Sequence, residues 1–313
     1  MKNKRLIIIG IISITLFISL FMLFKKNDST YELYNTDSPT RIGEVHLVVS
    51  DVDNLTAFYQ QVIGFDILTK ESKRVTLTAD GRTPLLILEE QEDSVERPFP
   101  STGLYHFAII MPDHVSLGNM MLHFAQTKYP MQGAANHQYS DALYLADPDG
   151  NGIEIYADLS PDTWERDKNG GYAGGSYPMD FEKLAAEANP NWNGLPDDTR
   201  IGHMHLQATE LVMTEKFYVD GLDFNVTSKD DGSLFLSKDN YHHHIALNTW
   251  SGTGIPAPPD NSRGLKNFTL LFSKEELEEA KTRLTDLDFL FEEKDNSIIV
   301  QDPSRNTIEI ISK

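Results

Sequence analysis

The chain contains no cysteine, and that absence removes three kinds of site. Without thiols there is no disulfide framework, no zinc–thiolate centre and no cysteine nucleophile. A protein without cysteine suits either side of a bacterial membrane, so the absence does not locate the chain. Its 313 residues, 40% hydrophobic and 24% charged, are typical of a globular protein with room for two domains.

Positive charge is also scarce. The sequence has 27 Lys and Arg residues against 47 Asp and Glu residues, which gives a formal net charge of −20 at pH 7. Five of the basic residues flank an apolar run near the amino terminus, so the body beyond that run carries 22 positive and 47 negative side chains. Such a surface repels the phosphate backbone and argues against a nucleic-acid partner. Its simplest role is to keep the protein in solution.

Residues 6–24 form a run of 19 residues without a charge. As a helix the run would span roughly 28 Å, close to the hydrocarbon thickness of a bilayer. The residues that follow, through Lys26, offer no small-residue cleavage site, so the run predicts an uncleaved membrane anchor over residues 1–26. A small excess of positive charge before the run predicts an amino terminus in the cytoplasm and an extracytoplasmic body.

Beyond a polar, turn-rich linker over residues 27–40, the chain repeats itself. The stretch that begins at Ile42 returns at Ile201, and a second pair of starts lies at Gly103 and Gly264. Each copy begins with an alternating strand, continues with a helical stretch and ends with short strands. The pattern predicts a β-α-β-β-β module four times over.

Two modules make up each half of the chain. The halves are predicted as domains over residues 41–160 and 199–313. Between them, residues 161–198 are rich in Gly, Pro, Asn and Asp, which predicts an inter-domain linker with a short helix over residues 181–188. The predicted fold class is therefore α+β, with one transmembrane helix before two domains of duplicated modules.

Polar side chains within apolar strands are the candidate functional residues. Because side chains alternate along a strand, His106 shares a face with Ala108, and His203 shares a face with His205. Glu154 stands between two isoleucines, and a carboxylate on a buried face is costly unless a cation pairs it. Singly, these residues also fit a hydrogen-bonded core histidine or an exposed edge carboxylate. Together, two histidines and a carboxylate are the ligand set of open non-haem iron(II) sites.

The duplicated module resembles the vicinal oxygen chelate superfamily, which includes glyoxalase I, bleomycin-resistance proteins and extradiol ring-cleaving dioxygenases. The resemblance covers residues 41–313 and is closest to the catechol 2,3-dioxygenases of the Bacillus type. It is carried by the stretch from His137 to Glu154, with the run LYLADPDGNGIE, which is similar to the extradiol dioxygenase signature. Ala135 departs from that signature, and Asp-Pro-Asp-Gly-Asn is also a good turn before a strand.

The resemblance implies a set of metal ligands. In the superfamily these are first-strand histidines of two modules and a last-strand glutamate of one. The corresponding positions here are, on the first strands of modules one to four, Glu44, His106, His203 and Asn267, and on the last strands of modules two and four, Glu154 and Glu309. Only the pairing of module two with module three completes the set, with His106, Glu154 and His203. His46 and His205 are rival ligands if the register is shifted by one pleat.

The same resemblance implies the residues that act on substrate. His137 and Tyr144, which precede the glutamate, would position a substrate oxygen by hydrogen bonds. His243, where Tyr241–Leu247 is predicted to open a strand, would be the acid–base residue, since an imidazole suits proton transfer near neutral pH. The implied function is extradiol cleavage of a catechol-type substrate with non-haem Fe(II) and O₂, with Mn, Zn or Ni as alternative metals.

Two other functions stay open at this stage. One is a glyoxalase-like, metal-dependent isomerase or lyase, and the other is a non-catalytic protein that binds a small molecule and confers resistance. The superfamily contains all three, so the fold alone does not select the reaction. Metal content distinguishes the three functions. Iron indicates the dioxygenase, nickel or zinc indicates the isomerase or lyase, and the absence of metal indicates the binding protein.

Overall fold

The computed structural model describes residues 41–168 and 170–313. The predicted anchor over residues 1–26 and the predicted linker over residues 27–40 lie outside these ranges. Across the described ranges, no helix is both long enough and apolar enough to span a bilayer.

Sixteen strands in the described residues make four successive modules, as the sequence repeat predicts. The strands of the first module are β1 (Arg41–Val49), β2 (Asp66–Lys70), β3 (Arg74–Thr78) and β4 (Leu86–Glu90). Those of the second are β5 (Gly103–Ile110), β6 (Gly133–Asn136), β7 (Ser140–Ala146) and β8 (Gly152–Asp158). Those of the third are β9 (Arg200–Gln207), β10 (Asn225–Lys229), β11 (Ser233–Ser237) and β12 (Ile245–Asn248). Those of the fourth are β13 (Gly264–Phe272), β14 (Phe291–Lys294), β15 (Ser297–Gln301) and β16 (Thr307–Ser312).

One helix follows the first strand of each module, and one more lies between the halves. In chain order they are α1 (Val52–Phe58), α2 (His114–Thr127), α3 (Phe181–Glu187), α4 (Val212–Lys216) and α5 (Lys274–Asp286), with π-helical turns at Tyr59–Ile63 and Phe217–Gly221 after α1 and α4. Asp51, Asp113 and Ser273 start α1, α2 and α5 by accepting a hydrogen bond from a backbone N–H of the first turn. The helix predicted between the halves is confirmed to within one residue as α3.

Two buried tyrosines in the π-helical turns tie neighbouring modules together. The hydroxyl of Tyr59 donates to Oδ2 of Asp147 at 2.9 Å, and that of Tyr218 donates to Oδ2 of Asp302 at 3.1 Å. Each aspartate also accepts hydrogen bonds from backbone N–H groups of the tight turn that it begins. Asp147, in the run that is similar to the extradiol signature, therefore has a structural role, because the turn that it begins leads directly into β8.

The modules pair across the halves to form two eight-stranded sheets. The strand orders are β14-β15-β16-β13-β1-β4-β3-β2 and β10-β11-β12-β9-β5-β8-β7-β6. At the centre of each sheet two first strands run antiparallel, β1 beside β13 and β5 beside β9. Each half thus contributes one module to each sheet. Module two shares a sheet with module three, which is the pairing that completes the implied ligand set.

Side chains along the central strands point alternately to the hydrophobic core and to the candidate site. Phe107 on β5 and Ile153 and Ile155 on β8 are buried in the hydrophobic core. His106 and Glu154 are their immediate neighbours in sequence and therefore point to the opposite face of the sheet. The strands anchor the core with one face and present polar side chains to a cavity with the other.

Candidate active site

Three polar side chains meet on the central strands of the second sheet. His106 lies on β5, Glu154 on β8 and His203 on β9. Ala108 on β5 is the register partner of both Glu154 and His203. His106 lies two residues before Ala108 and so shares its face. The three predicted ligands therefore converge around the small side chain of an alanine.

The donor atoms of this triad are spaced as one metal ion would require. Nε2 of His106 lies 2.9 Å from Oε2 of Glu154, Nε2 of His203 lies 3.2 Å from the same oxygen, and the two nitrogens are 3.4 Å apart. Bonds of about 2.1 Å at right angles to one another place neighbouring donors about 3 Å apart. Among the residues that the structure describes, these three form the only group of histidine and carboxylate side chains placed to hold a metal.

The protonation of the triad also suits a divalent cation. Burial lowers the pKa of His203 to about 4, although Glu154 opposes that shift, so the imidazole is neutral at pH 7. Burial raises the pKa of Glu154, but the neighbouring His203 and His106 outweigh it and hold that pKa well below its usual range. Neutral imidazole and ionised carboxylate each offer a lone pair to a metal. The set of two histidines and one carboxylate fits non-haem Fe(II) and is also a zinc set.

The two rival ligands do not join the triad. The ring centroid of His205 is 4.8 Å from that of His106, but Nε2 of His205 is hydrogen-bonded to Nδ2 of Asn248 at 3.0 Å. His46 lies on β1 in the other sheet, where its Nε2 is 2.9 Å from Oε2 of Glu89. The structure thus brings His106 and His203 together with Glu154. His46 and His205, the histidines of the shifted register, are not part of this group.

His137 and Tyr144 form a hydrogen-bonded pair beside Glu154. Tyr144 is opposite Glu154 in the register of β7 and β8, and its hydroxyl lies 2.6 Å from Nε2 of His137. Nδ1 of His137 lies 2.5 Å from the carbonyl oxygen of Gly175, which can only accept. Nδ1 therefore carries a proton and donates to that carbonyl, and in this tautomer Nε2 can accept the tyrosine proton. Burial and the charge of Glu154 raise the pKa of Tyr144 far above its ordinary value, so the hydroxyl keeps its proton.

His243 ends a hydrogen-bonded chain of three side chains. Oδ1 of Asp158 lies 2.9 Å from Nε2 of His242, and Nδ1 of His242 lies 2.8 Å from Nδ1 of His243. Because an ionised carboxylate only accepts, Nε2 of His242 donates to it, and in the tautomer with an unprotonated Nδ1 His242 accepts from Nδ1–H of His243. In that arrangement Nε2 of His243 carries no proton. Burial, and then the imidazoles of His203 and His242, lower the pKa of His243 well below its ordinary value, so the ring is neutral at pH 7.

The strand predicted over Tyr241–Leu247 begins too early, and His243 precedes it. β12 starts at Ile245. The carbonyl oxygen of His242 accepts a hydrogen bond from the Thr227 hydroxyl at 2.6 Å, which holds the preceding residues in a buried loop. That loop places the ring of His243 with its centroid 4.2 Å from the ring of His203.

All the predicted site residues line one cavity of about 710 Å³. They are His106, Glu154, His203, His137, Tyr144 and His243. Aromatic side chains line the same cavity, and those open to solvent include Tyr105 at 42% and Trp250 at 57% exposure. Their rings meet edge to face with centroids 5.3 Å apart. Such surfaces suit a flat, apolar ligand whose polar groups reach the histidines.

The segment predicted as an inter-domain linker forms one side of this cavity. Gly174 and Gly175 line it, and Asn136 and Tyr177 exchange two backbone hydrogen bonds of 2.9 and 3.0 Å that hold the segment in place. A Cβ atom on Gly174 would lie 2.8 Å from the ring of Tyr139, so glycine is required for this close approach. The paired glycines are the sequence signal for a segment that packs against the site.

Sequence reasoning also missed Asp158 and His242. Asp158 lies four residues after Glu154 on β8 and therefore on the same face, which strand alternation alone could have indicated. His242 carries no comparable signal, because its place between Asp158 and His243 depends on the fold of the loop before β12.

Comparisons with known proteins agree with this architecture. The model of the Glyoxalase/Bleomycin resistance protein/Dioxygenase superfamily matches residues 41–155. The chain is 42% identical over 269 residues to Catechol-2,3-dioxygenase from Bacillus subtilis (strain 168), an alignment that covers 84% of this chain and 94% of that protein.

Two solved structures share the fold. A putative dioxygenase from Bacillus subtilis superimposes with a TM-score of 0.59 and 10% identity, over 87% of this chain and 84% of that chain. Glyoxalase I from Zea mays superimposes with a TM-score of 0.55 and 12% identity, over 87% of this chain and 92% of that chain. At such identities the likeness concerns the fold and not the reaction.

Proposed function

The chain belongs to the glyoxalase/bleomycin resistance protein/dioxygenase superfamily, and on that premise we propose that it is an extradiol ring-cleaving dioxygenase. It would act on a catechol-type substrate with a non-haem Fe(II) and O₂. The observation that carries the proposal is the convergence of His106, Glu154 and His203 in the cavity that His243 also lines. The 42% identity to a protein named Catechol-2,3-dioxygenase supports the same reaction class.

The three protein ligands leave room for substrate and dioxygen beside them. A facial set of two histidines and one carboxylate is typical of Fe(II) oxygenases, and the chemistry that the iron supplies when bound is the activation of dioxygen next to a chelated diol. Ring opening beside the diol adds both atoms of O₂ to catechol and gives a 2-hydroxymuconic semialdehyde. The protein's own residues bind the diol, orient it and move its protons.

His243 is the residue placed to take a proton from the diol. Its Nε2 carries no proton, because its Nδ1–H is donated to His242, which in turn donates to Asp158. When Nε2 accepts a substrate proton, the carboxylate of Asp158 stabilises the positive charge that spreads over the two imidazoles. The same nitrogen can return the proton later in the cycle.

Tyr144 is the residue placed to orient a substrate oxygen. Its hydroxyl lies 2.6 Å from Nε2 of His137, and a hydroxyl oxygen has two lone pairs that can accept a hydrogen bond from a substrate hydroxyl. The carbonyl of Gly175 accepts from Nδ1 of His137 and thereby orients the ring that Tyr144 contacts. Substrate orientation thus depends on a backbone group from the segment between the halves.

The test is turnover of catechol by the full-length protein loaded anaerobically with Fe(II). The expected result is a yellow ring-cleavage product together with consumption of O₂, measured by absorbance and an oxygen electrode. A fully iron-loaded protein that neither binds catechols nor consumes O₂ would contradict the proposal and move the protein to the isomerase or binding class.

A matched pair of variants connects this reaction to the triad. His203→Ala removes one ligand and should abolish both iron binding and turnover. Glu44→Ala changes the residue at the corresponding position of the other sheet, on β1, and should leave both unchanged. Loss of iron in both variants would indicate a general effect on folding instead.

The alternative is a metal-dependent isomerase of the glyoxalase kind. The ligand set permits it, because two histidines and a glutamate are also a common zinc set. Metal analysis of the protein as isolated separates the two functions, since zinc or nickel with isomerase activity would replace iron with O₂ uptake.

A further inference from the structure

A second cavity lies on the sheet that the first and fourth modules form. It measures about 520 Å³ and is lined by residues of β1, β13 and β16 and of the segment before β13. The positions that hold His203, His106 and Glu154 in the catalytic sheet are here Glu44, Asn267 and Glu309. Neither histidine is present at these positions, and the described residues place no metal-holding group here. The two sheets thus each carry a cavity, and within the described residues only the catalytic one has the metal-holding triad.

The lining of the second cavity is unusually basic for so acidic a chain. Six of the 27 Lys and Arg residues line it, against three carboxylates. The basic residues are Arg74, Arg97, Arg263, Lys266, Lys294 and Arg305. Among the described residues, the one Lys or Arg that lines the catalytic cavity is Arg97, which lines both cavities. Positive charge is therefore concentrated at the second cavity and not at the first.

Three of these six cations already contact carboxylates. Arg74 and Lys266 both contact Glu89, at 3.1 and 2.9 Å, and Arg305 contacts Asp260 at 2.8 Å. Those three cations have protein partners and do not require a ligand.

The other three cations have no carboxylate partner within the described ranges. Arg97, Arg263 and Lys294 form no ion pair there, and the one side-chain contact of Arg97 is a 2.8 Å hydrogen bond to the carbonyl of Leu104. The buried hydroxyl of Ser262 and Nε of Arg263 also have no hydrogen-bond partner in the described part of the chain. Partly buried guanidinium groups and unsatisfied donors are costly unless an acceptor meets them. Glu44 and Glu309 also line the cavity, but within the described ranges they form no ion pair with these three cations, whose donors are therefore open to a ligand.

We propose that the second cavity is a binding site for a small organic anion that carries a carboxylate or a phosphate group. Arg97, Arg263 and Lys294 line the cavity and supply the charge. A guanidinium fork matches the geometry of both carboxylate and phosphate oxygens, which is why the two chemistries share one site. The site needs no metal and is separate from the catalytic triad, so ligand binding here does not depend on the proposed reaction.

The test is calorimetric titration of the full-length protein, in a buffer free of both anions, with inorganic phosphate and with succinate. At least one of the two should bind saturably at one site. Arg263→Gln and Lys294→Gln should each weaken that binding by roughly tenfold, since each removes a charge-assisted contact. Because Lys294 is exposed, its substitution tests the site without disturbing the fold.

Control variants test whether the anion binds in the second cavity rather than elsewhere on the protein. Arg82→Gln and Lys216→Gln remove exposed cations far from this cavity and should change the affinity less than twofold. His106→Ala disrupts the catalytic triad and should leave anion binding intact. The proposal is overturned if neither anion binds saturably, if the two cavity variants bind as well as the wild type, or if His106→Ala abolishes the binding.

Discussion

At the scale of single residues, the hydrogen bonds that link Asp158, His242 and His243 identify Nε2 of His243 as the candidate proton acceptor of the site. The buried carboxylate accepts from one imidazole, and that imidazole accepts from the next. No single pairwise contact would select the tautomer of His243, because either ring nitrogen of a free imidazole can carry the proton. The carboxylate removes that ambiguity.

This arrangement predicts a pair of effects on turnover. His243→Ala should keep its iron and lose about 10²–10⁴-fold in turnover, the contribution typical of a general acid–base residue. Asp158→Asn should also keep its iron and lose turnover by about tenfold to 10⁴-fold, because the carboxylate that orients and charge-balances the two imidazoles is gone. Steady-state O₂ uptake normalised to bound iron measures both.

The control for the charge change is Asp162→Asn, an exposed carboxylate shortly after β8. It should leave turnover unchanged. Full turnover in His243→Ala, or loss of iron from it, would show that this residue is not the acid–base group.

At the scale of elements, the π-helical turn after α1 positions the strand that carries Glu154. Tyr59 in that turn donates to Asp147, and Asp147 organises the turn that leads into β8. The equivalent contact joins Tyr218 to Asp302, which precedes β16 of the other sheet. The two contacts have the same form in the duplicated modules, but only the first lies directly before β8, the strand that carries Glu154.

This duplication supplies an internal control for a stability prediction. Tyr59→Phe and Tyr218→Phe each remove one buried hydroxyl and should lower the free energy of unfolding by about 1–2 kcal/mol. Urea unfolding followed by circular dichroism measures this loss. Only Tyr59→Phe should also reduce iron affinity, because only its partner aspartate precedes Glu154. Equal effects of the two variants on iron affinity would contradict the positional argument.

At the scale of the whole molecule, the amino-terminal apolar run is predicted to hold the acidic body at a membrane. Residues 6–24 carry no charge, and residues 1–26 are predicted to stay attached. The full-length protein should therefore sediment with membranes, and a chain that lacks residues 1–26 should not. Fractionation and immunoblotting measure this. Recovery of a mature protein without residues 1–26 from the medium would show instead that the run is a cleaved signal peptide.

The four-module organisation and the candidate ligands could be read from the linear order of residues. Period-two alternation is a local property of a strand, so Glu154 between two isoleucines already marks a polar position on a strand with an apolar face. The constant spacing between copies likewise marks the modules without reference to their packing. The resemblance then implied the pairing of module two with module three, and the strand order of the second sheet contains that pairing.

The remaining parts of the site depend on contacts between residues distant in sequence. Gly175 reaches His137 across 38 residues, and Asp158 reaches His242 across 84. No local pattern encodes such contacts, because they form only when the loop before β12 and the segment between the halves pack against the sheet. The basic cavity arises in the same way, since its cations are spread from Arg74 to Arg305 and meet only where the first and fourth modules share a sheet.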